Sequence, residues 1–202
     1  MLRVGLTGGI ACGKSLVASF FAARGVPVVN DDDAARDAVA KGTEGLAAVV
    51  REFGEDVLLP DGTLDRPKLG RIVFADDSLR RKLMAITFPY IGRLLQERFA
   101  AAEASGAPMM VYESALLIEN GGHDAWRPLV VVRVDEAQQL ARLCARNGLT
   151  HDEAVARIAS QMPVARKAEL ADFVIDNSGT PEETERQFAR VWEELARRAG
   201  RS

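Results

Sequence analysis

A chain of 202 residues, 48% apolar and 27% charged, is long enough to bury one sizeable α/β core with room for small insertions. A net charge of −3 excludes a global attraction to nucleic acid or anionic membranes, so any anion-binding surface must be local. The only cysteines, Cys12 and Cys144, make neither a disulfide framework nor a metal-ligand set, and the apolar runs fall far short of a bilayer span.

Leu2–Thr7 is a short apolar run that stops at Gly8-Gly9, the pattern of a strand covered on both faces. From Lys14 the spacing of Val17, Phe20 and Phe21 predicts a helix, closed by Gly25 as its C′ residue. Val26–Val29 then predicts a second strand, ending at Asn30-Asp31-Asp32-Asp33, and completes a βαβ unit. The middle of the chain is almost all helical signal: Ala34–Ala40, Glu44–Phe53, a turn at Pro60-Asp61-Gly62, Pro67–Phe74, and Ser78–Ala104, where Pro89 should start or kink a helix. That is too much helix for one crossover and reads as a helical insertion, about 34–104. The sheet resumes at Met109–Tyr112, Leu129–Val134 and Phe173–Ile175. Asp135 with Gln138 and Thr150 with Glu153 are expected to open two helices as capping boxes, and Thr180, Pro181 at N1 and Glu183 to open the last helix. The fold expected is one parallel-sheet α/β domain over 1–202 with helical decorations.

Gly8-Gly9-Ile10-Ala11-Cys12-Gly13-Lys14-Ser15 fits G-x-x-x-x-G-K-[ST] between a predicted strand and a predicted helix, so the α/β domain expected is of the P-loop NTPase kind. Such a loop folds into a nest of inward N–H groups at the positive end of a helix, which suits phosphate. Lys14 would reach the β- and γ-phosphates of ATP and Ser15 would take a position on Mg²⁺. Cys12 lies inside the loop, where a lowered thiol pKa competes with the plainer reading of a tolerated small residue.

Asp31–Asp33 stand at the carboxyl end of a strand, where ligands bind in open α/β sheets; they can cap the next helix or serve as base and metal-ordering groups. Arg36 can pair with them or bind a substrate phosphate. Glu113 ends an apolar strand in the manner of a Walker B acid, with Glu119 shortly after; each is a site acid or a surface glutamate. Arg142, Arg146, Arg157, Arg166 and Lys167 form a positive stretch suited to a mobile lid, about 142–168. His123 and His151 stand alone and are expected at the surface.

Together these motifs resemble the dephospho-coenzyme A kinases from the first strand to the last helix. Gly5-Leu6-Thr7-Gly8-Gly9-Ile10 with Gly13-Lys14-Ser15 is similar to the family's opening, and Asp32 with Ala35-Arg36 to its D-x-D-x-x-A-R segment. Phe53-Gly54, Asp61–Arg66, Leu69 with Ile72-Val73-Phe74, and Leu116-Leu117 with Glu119 match in order. So do Gln161, Pro163, Lys167, Ala171-Asp172, Val174-Ile175, Asn177 and Gly179. Departures are Asn30 for an aspartate, Phe88 for the histidine before Pro89, Ala115 for a proline, Glu113 for an aspartate, and Ala11-Cys12 for Gly-Ser.

The resemblance implies transfer of a phosphoryl group from ATP, with Mg²⁺, to the ribose 3′-hydroxyl of dephospho-CoA. It implies Asp32, Lys14 and Arg146 as catalytic residues, and Gly9, Ile10, Ala11, Cys12, Gly13, Lys14, Ser15 and Asn177 around ATP, with the stretch around Asn177 bordering the adenine. Thr7, Asp32, Arg36, Asp65, Arg66, Lys68, Glu113 and Leu116 would hold the acceptor, the helical insertion being its binding region. A cytoplasmic monomer acting on a small molecule, with no nucleic-acid or membrane partner, is the expectation.

Overall fold

The computed structural model describes residues 1–200. Residues 201 and 202, included in the expected domain span, lie outside the described residues. The chain divides into two compact units, Met1–Asn30 with the chain from Ala102 onward, and Asp31–Ala101.

The first unit is built on a five-stranded sheet of order β2-β3-β1-β4-β5, with β1 Leu2–Gly8, β2 Val28–Asn30, β3 Met109–Glu113, β4 Leu129–Arg133 and β5 Phe173–Asp176. Every pairing is parallel. Parallel strands need crossovers that cover both faces, so β1, β3 and β4 are buried along nearly their whole length. The parallel arrangement also brings the carboxyl ends of the strands, with Gly8, Asn30 and Glu113, to one edge, where the register aligns Asn30 with Glu113.

Helices α1 Lys14–Ala22 and α9 Pro181–Ala199 pack on one side of this sheet. Phe21 and Phe188 meet edge to face there at 4.8 Å, over a core of Val4, Leu6, Val17 and Val130. A second cluster gathers Leu117, Ile118, Leu129 and Val131 with Val164 and Ala168 of α8 Val164–Glu169, a short helix that the sequence pattern does not announce. Helices α6 Glu136–Asn147 and α7 His151–Ala159 pack on each other. Thr150 and Thr180 make full capping boxes with Glu153 and Glu183. Asp135 caps α6 through the Gln138 N–H, but the reciprocal half is missing. Ser178 Oγ already takes the Asp135 N–H, and Gln138 donates instead to the Ser178 carbonyl.

The second unit is helical: α2 Asp31–Asp37, α3 Glu44–Phe53, α4 Arg66–Phe74, and the part of α5 Asp77–Ala104 that falls within it. Its core joins Val39, Val49, Val57, Leu69 and Val73. Pro89 does not start a helix but sits inside α5. Helix α2 begins at Asp31, earlier than the expected Ala34, because the three aspartates form its first turn and stabilise its positive end.

Candidate active site

Between β1 and α1 the loop from Gly8 to Gly13 turns the chain from strand to helix. Helix α1 is entered through a left-handed glycine and, like the short α8 behind Pro163, starts without a side-chain cap. Thr43, Asp65, Asp135, Thr150 and Thr180 each cap a helix through a side-chain oxygen, whereas Gly13 offers no cap and the first turn of α1 carries no acid. A helix start left without cap or counter-charge presents its N–H groups and positive end to an anion. Gly13 has φ 86°, and a Cβ there would stand 2.1 Å from the Asn177 amide nitrogen, so only glycine fits. Ala11 adopts φ 59°, a left-handed turn that a side chain disfavours.

The Lys14 ammonium lies against the Gly9 carbonyl at 3.5 Å, folded back over the loop. Ser15 Oγ is 3.4 Å from Glu113 Oε1, whose other oxygen accepts a 2.7 Å hydrogen bond from the Asn30 side-chain amide. Asn30 can hold the Glu113 carboxylate by donating to it, which an ionised aspartate at that place cannot do. Glu113 is 5% exposed, so it is no surface glutamate. Ser15, Asn30 and Glu113 therefore form a compact group of hard oxygen and amide donors at the strand edge.

Cys12 is fully buried. Burial pushes its thiol pKa up, outweighing the Gly9 backbone and the nearby Lys14 charge, so the loop does not activate it.

Asn177, expected beside an adenine, is buried and spends its side chain on the loop. Its Nδ2 donates to the Cys12 carbonyl at 2.9 Å, while its Oδ1 accepts from Thr184 Oγ1 at 2.9 Å. Thr7, expected among the acceptor contacts, is also fully buried, its hydroxyl directed at the Ala115 carbonyl at 3.4 Å. Leu116 next to it is 39% exposed. Lys167, counted above in the basic stretch, is fully buried; it pairs with Glu119 at 2.8 Å and donates to the Ala115 carbonyl at 2.7 Å. Glu119 also accepts the Met162 N–H at 3.1 Å. Arg142 donates to the Asn177 carbonyl at 3.0 Å, whereas Arg146 is exposed at the end of α6 and bonds only Asn147 among the described residues. His151 lies at the surface, and His123 is half-buried, its side chain 20% exposed, in a turn that folds back through a hydrogen bond from the Gly122 N–H to the Leu117 carbonyl.

Within the helical unit, Asp32 is exposed in the first turn of α2, and among the described residues its carboxylate has no hydrogen bond or ion pair. Arg36 pairs with Asp33 at 2.7 Å, and Arg66 donates to the Arg36 carbonyl at 2.9 Å. Burial first, and then the Arg36 charge, lower the Arg66 pKa, against an opposing pull from Asp37. Asp65 caps α4 by accepting the Lys68 N–H at 2.9 Å. A cavity of about 230 Å³ in this unit is lined by Val39, Val49, Leu69, Val73 and Thr87, with Arg66 as its charged member.

Comparison with known proteins agrees with this geometry. The family model of the dephospho-CoA kinases matches residues 2–183. The chain belongs to the dephospho-CoA kinase family. It is similar to the dephospho-CoA kinase of Geobacter metallireducens, 50% identical over 96% of each chain. It is also similar to that of Arabidopsis thaliana, 46% identical over 98% of this chain and 85% of that one. Among solved structures, a Thermus thermophilus protein superposes with a TM-score of 0.79 at 32% identity, over 96% of this chain and 97% of that one. A Campylobacter jejuni dephospho-CoA kinase shares the fold with a TM-score of 0.70 at 24% identity, over 96% of each chain. The fold is that of the P-loop kinases, a parallel sheet flanked by helices. No helix among the described residues is long and apolar enough to cross a membrane.

Among residues that sequence reasoning left without a role, Gln139 and Thr184 are buried and touch the loop or its brace. Each is a polar residue on an apolar helical stripe, four positions before Leu143 and Phe188, and that mismatch is the signal that finds them.

Proposed function

We infer that this chain is a kinase that uses ATP to phosphorylate dephospho-CoA, on the ribose 3′-hydroxyl, giving CoA and ADP. The observation that carries this reading is the uncapped, glycine-entered start of α1 behind the Gly8–Ser15 loop, in a chain of this family. The N–H groups of the loop cradle the triphosphate, and Lys14 swings from the Gly9 carbonyl onto the β- and γ-phosphates. Phosphoryl transfer needs little beyond alignment and charge neutralisation, which these groups provide.

The oxygen donors at the strand edge fit Mg²⁺, an ion that keeps several waters and takes one or two carboxylates plus substrate phosphates. Ser15 would hold it, with Glu113 engaged directly or through water. When bound, the ion neutralises charge on the phosphates. Asp32, whose carboxylate has no hydrogen bond or ion pair among the described residues, orients the ribose hydroxyl and accepts its proton. Arg146, exposed on α6, steadies the transferring charge as α6 and α7 act as a lid. The helical unit binds the acceptor. There Arg36 and Arg66 meet its phosphates, Lys68 adds charge and the apolar cavity receives its uncharged arm. Glu113 and Leu116 are further acceptor-binding residues. Asp65 and Thr7, whose polar atoms are already engaged, support the acceptor region as a helix cap and as a brace for Ala115. Asn177 serves ATP by shaping the loop from beneath. The enzyme acts as a monomer in the cytoplasm, without a nucleic-acid partner.

A panel of acceptors with Mg-ATP, dephospho-CoA against nucleosides, nucleotides, shikimate and gluconate, tests the substrate with product identification by mass. ADP release should be stimulated by dephospho-CoA alone. Turnover of another acceptor at higher kcat/KM, or none with dephospho-CoA, would overturn the reading.

A further inference from the structure

Two glutamine side chains grip the phosphate loop at a single residue. Gln161 Oε1 accepts the Ile10 N–H at 2.9 Å, and Gln139 Nε2 donates to the Ile10 carbonyl at 2.9 Å. Chemistry sets both amide orientations, since an N–H requires an oxygen and a carbonyl requires the NH₂ group. Gln139 is 4% exposed, and a Cβ on Gly9 would stand 2.6 Å from its amide nitrogen, so the loop lies flush on this side chain. The next residue, Ala11, holds the left-handed turn, and a disfavoured backbone angle persists only where surrounding contacts over-determine it. The Ile10 N–H is satisfied by Gln161 and the Cys12 N–H by the Gly9 carbonyl at 3.2 Å, so both peptide groups are spent on the shape of the loop. The two glutamines come from opposite ends of the helical pair: Gln139 from α6, Gln161 just after α7. Both are neutral, so they hold the loop without setting a carboxylate beside a polyphosphate.

We propose that Gln139 and Gln161 are positioning residues, an amide clamp that fixes the peptide groups of Ile10, holds the turn at Ala11 and so aims the following N–H groups at the triphosphate. Because the clamp joins both bases of the α6–α7 pair to one residue, displacement of that pair is transmitted to the loop. The proposal rests on the loop binding ATP.

Amide hydrogen exchange without nucleotide and calorimetric titration with Mg-ATP, on the full chain, test it together. Gln161→Leu should speed exchange at Ile10 and weaken Mg-ATP binding by about 3- to 10-fold, the worth of one hydrogen bond, with the KM for dephospho-CoA unchanged. Gln161→Glu keeps an acceptor oxygen and should restore protection at Ile10, a rescue that a merely space-filling role would not show. Gln139→Leu should weaken Mg-ATP binding by a similar factor while the Ile10 N–H stays protected by Gln161. Unchanged exchange in Gln161→Leu, failure of glutamate to restore it, or faster exchange with unaltered affinity would each overturn the clamp. Absence of Mg-ATP binding in the unaltered chain would instead sink the loop reading, and the exchange data would still report whether Gln161 holds Ile10.

Discussion

Replacing Glu119 by leucine should leave the Lys167 ammonium, 0% exposed, with only the Ala115 carbonyl at 2.7 Å to answer its charge. Removing one partner of a buried ion pair costs about 3–5 kcal/mol, and full burial puts this variant in the upper part of that range. Lys167→Met is milder, at about 2–3 kcal/mol, because the Glu119 side chain is 21% exposed to water and still accepts the Met162 N–H. The double variant sets two apolar side chains beside Val164 and Ala168 and should recover at least about 2 kcal/mol of the summed single losses. Urea denaturation of the four proteins, compared at equal m, measures all three quantities. Single losses below about 1 kcal/mol, or a double variant equal to their sum, would refute the reasoning that this pair is desolvated and coupled. The pair also matters for the site, since it pins Ala115 beside Leu116 and Met162 beside Gln161.

Ala11→Gly should raise stability by about 0.5–1 kcal/mol, the left-handed strain relieved less the entropy of glycine, and Ala11→Val should lower it in the same urea assay. Burial raises the Asp172 pKa, but the Leu129 N–H at 2.6 Å and Arg127 at 2.9 Å overcome this and hold it below the ordinary range. A depressed carboxylate stabilises the fold above its unfolded pKa and loses that contribution as pH falls through the folded value. Asp172→Asn should therefore cost about 1.5–3 kcal/mol at neutral pH, with the gap to the parent closing below about pH 4. A gap independent of pH would show that the ionised form is not what matters. Asp32→Asn should lower kcat by roughly 10²-fold or more with the same KM; a change confined to KM would make Asp32 a binding residue only.

The sheet, the phosphate loop and most helix caps were legible because their signals are local. An apolar run that ends in glycines, or a threonine three residues before a glutamate, carries its physics within a few residues. Helix α3 spans Glu44–Phe53 as the pattern predicts, and both threonine capping boxes form. What was not legible depends on partners far apart in the chain. The stretch around Asn177 is expected near an adenine, and only the fold reveals that the Asn177 amide donates to Cys12, 165 positions away. Lys167 reads as one more cation in a basic stretch, and only the fold reveals Glu119 and Ala115 around it. Pro89 shows the limit of a breaker signal, since the long α5 absorbs the missing N–H. The site acids split the same way: the strand-end position of Glu113 was visible, whereas its hold by Asn30 required β2 and β3 to pair in register.

One ³¹P NMR time course on purified protein with ATP, dephospho-CoA and Mg²⁺ tests the central claim directly. A new ribose 3′-phosphomonoester should grow in step with ADP, and Lys14→Ala should abolish both signals. ADP that forms without the new monoester, or an undiminished rate in Lys14→Ala, would contradict phosphoryl transfer at the Gly8–Ser15 loop.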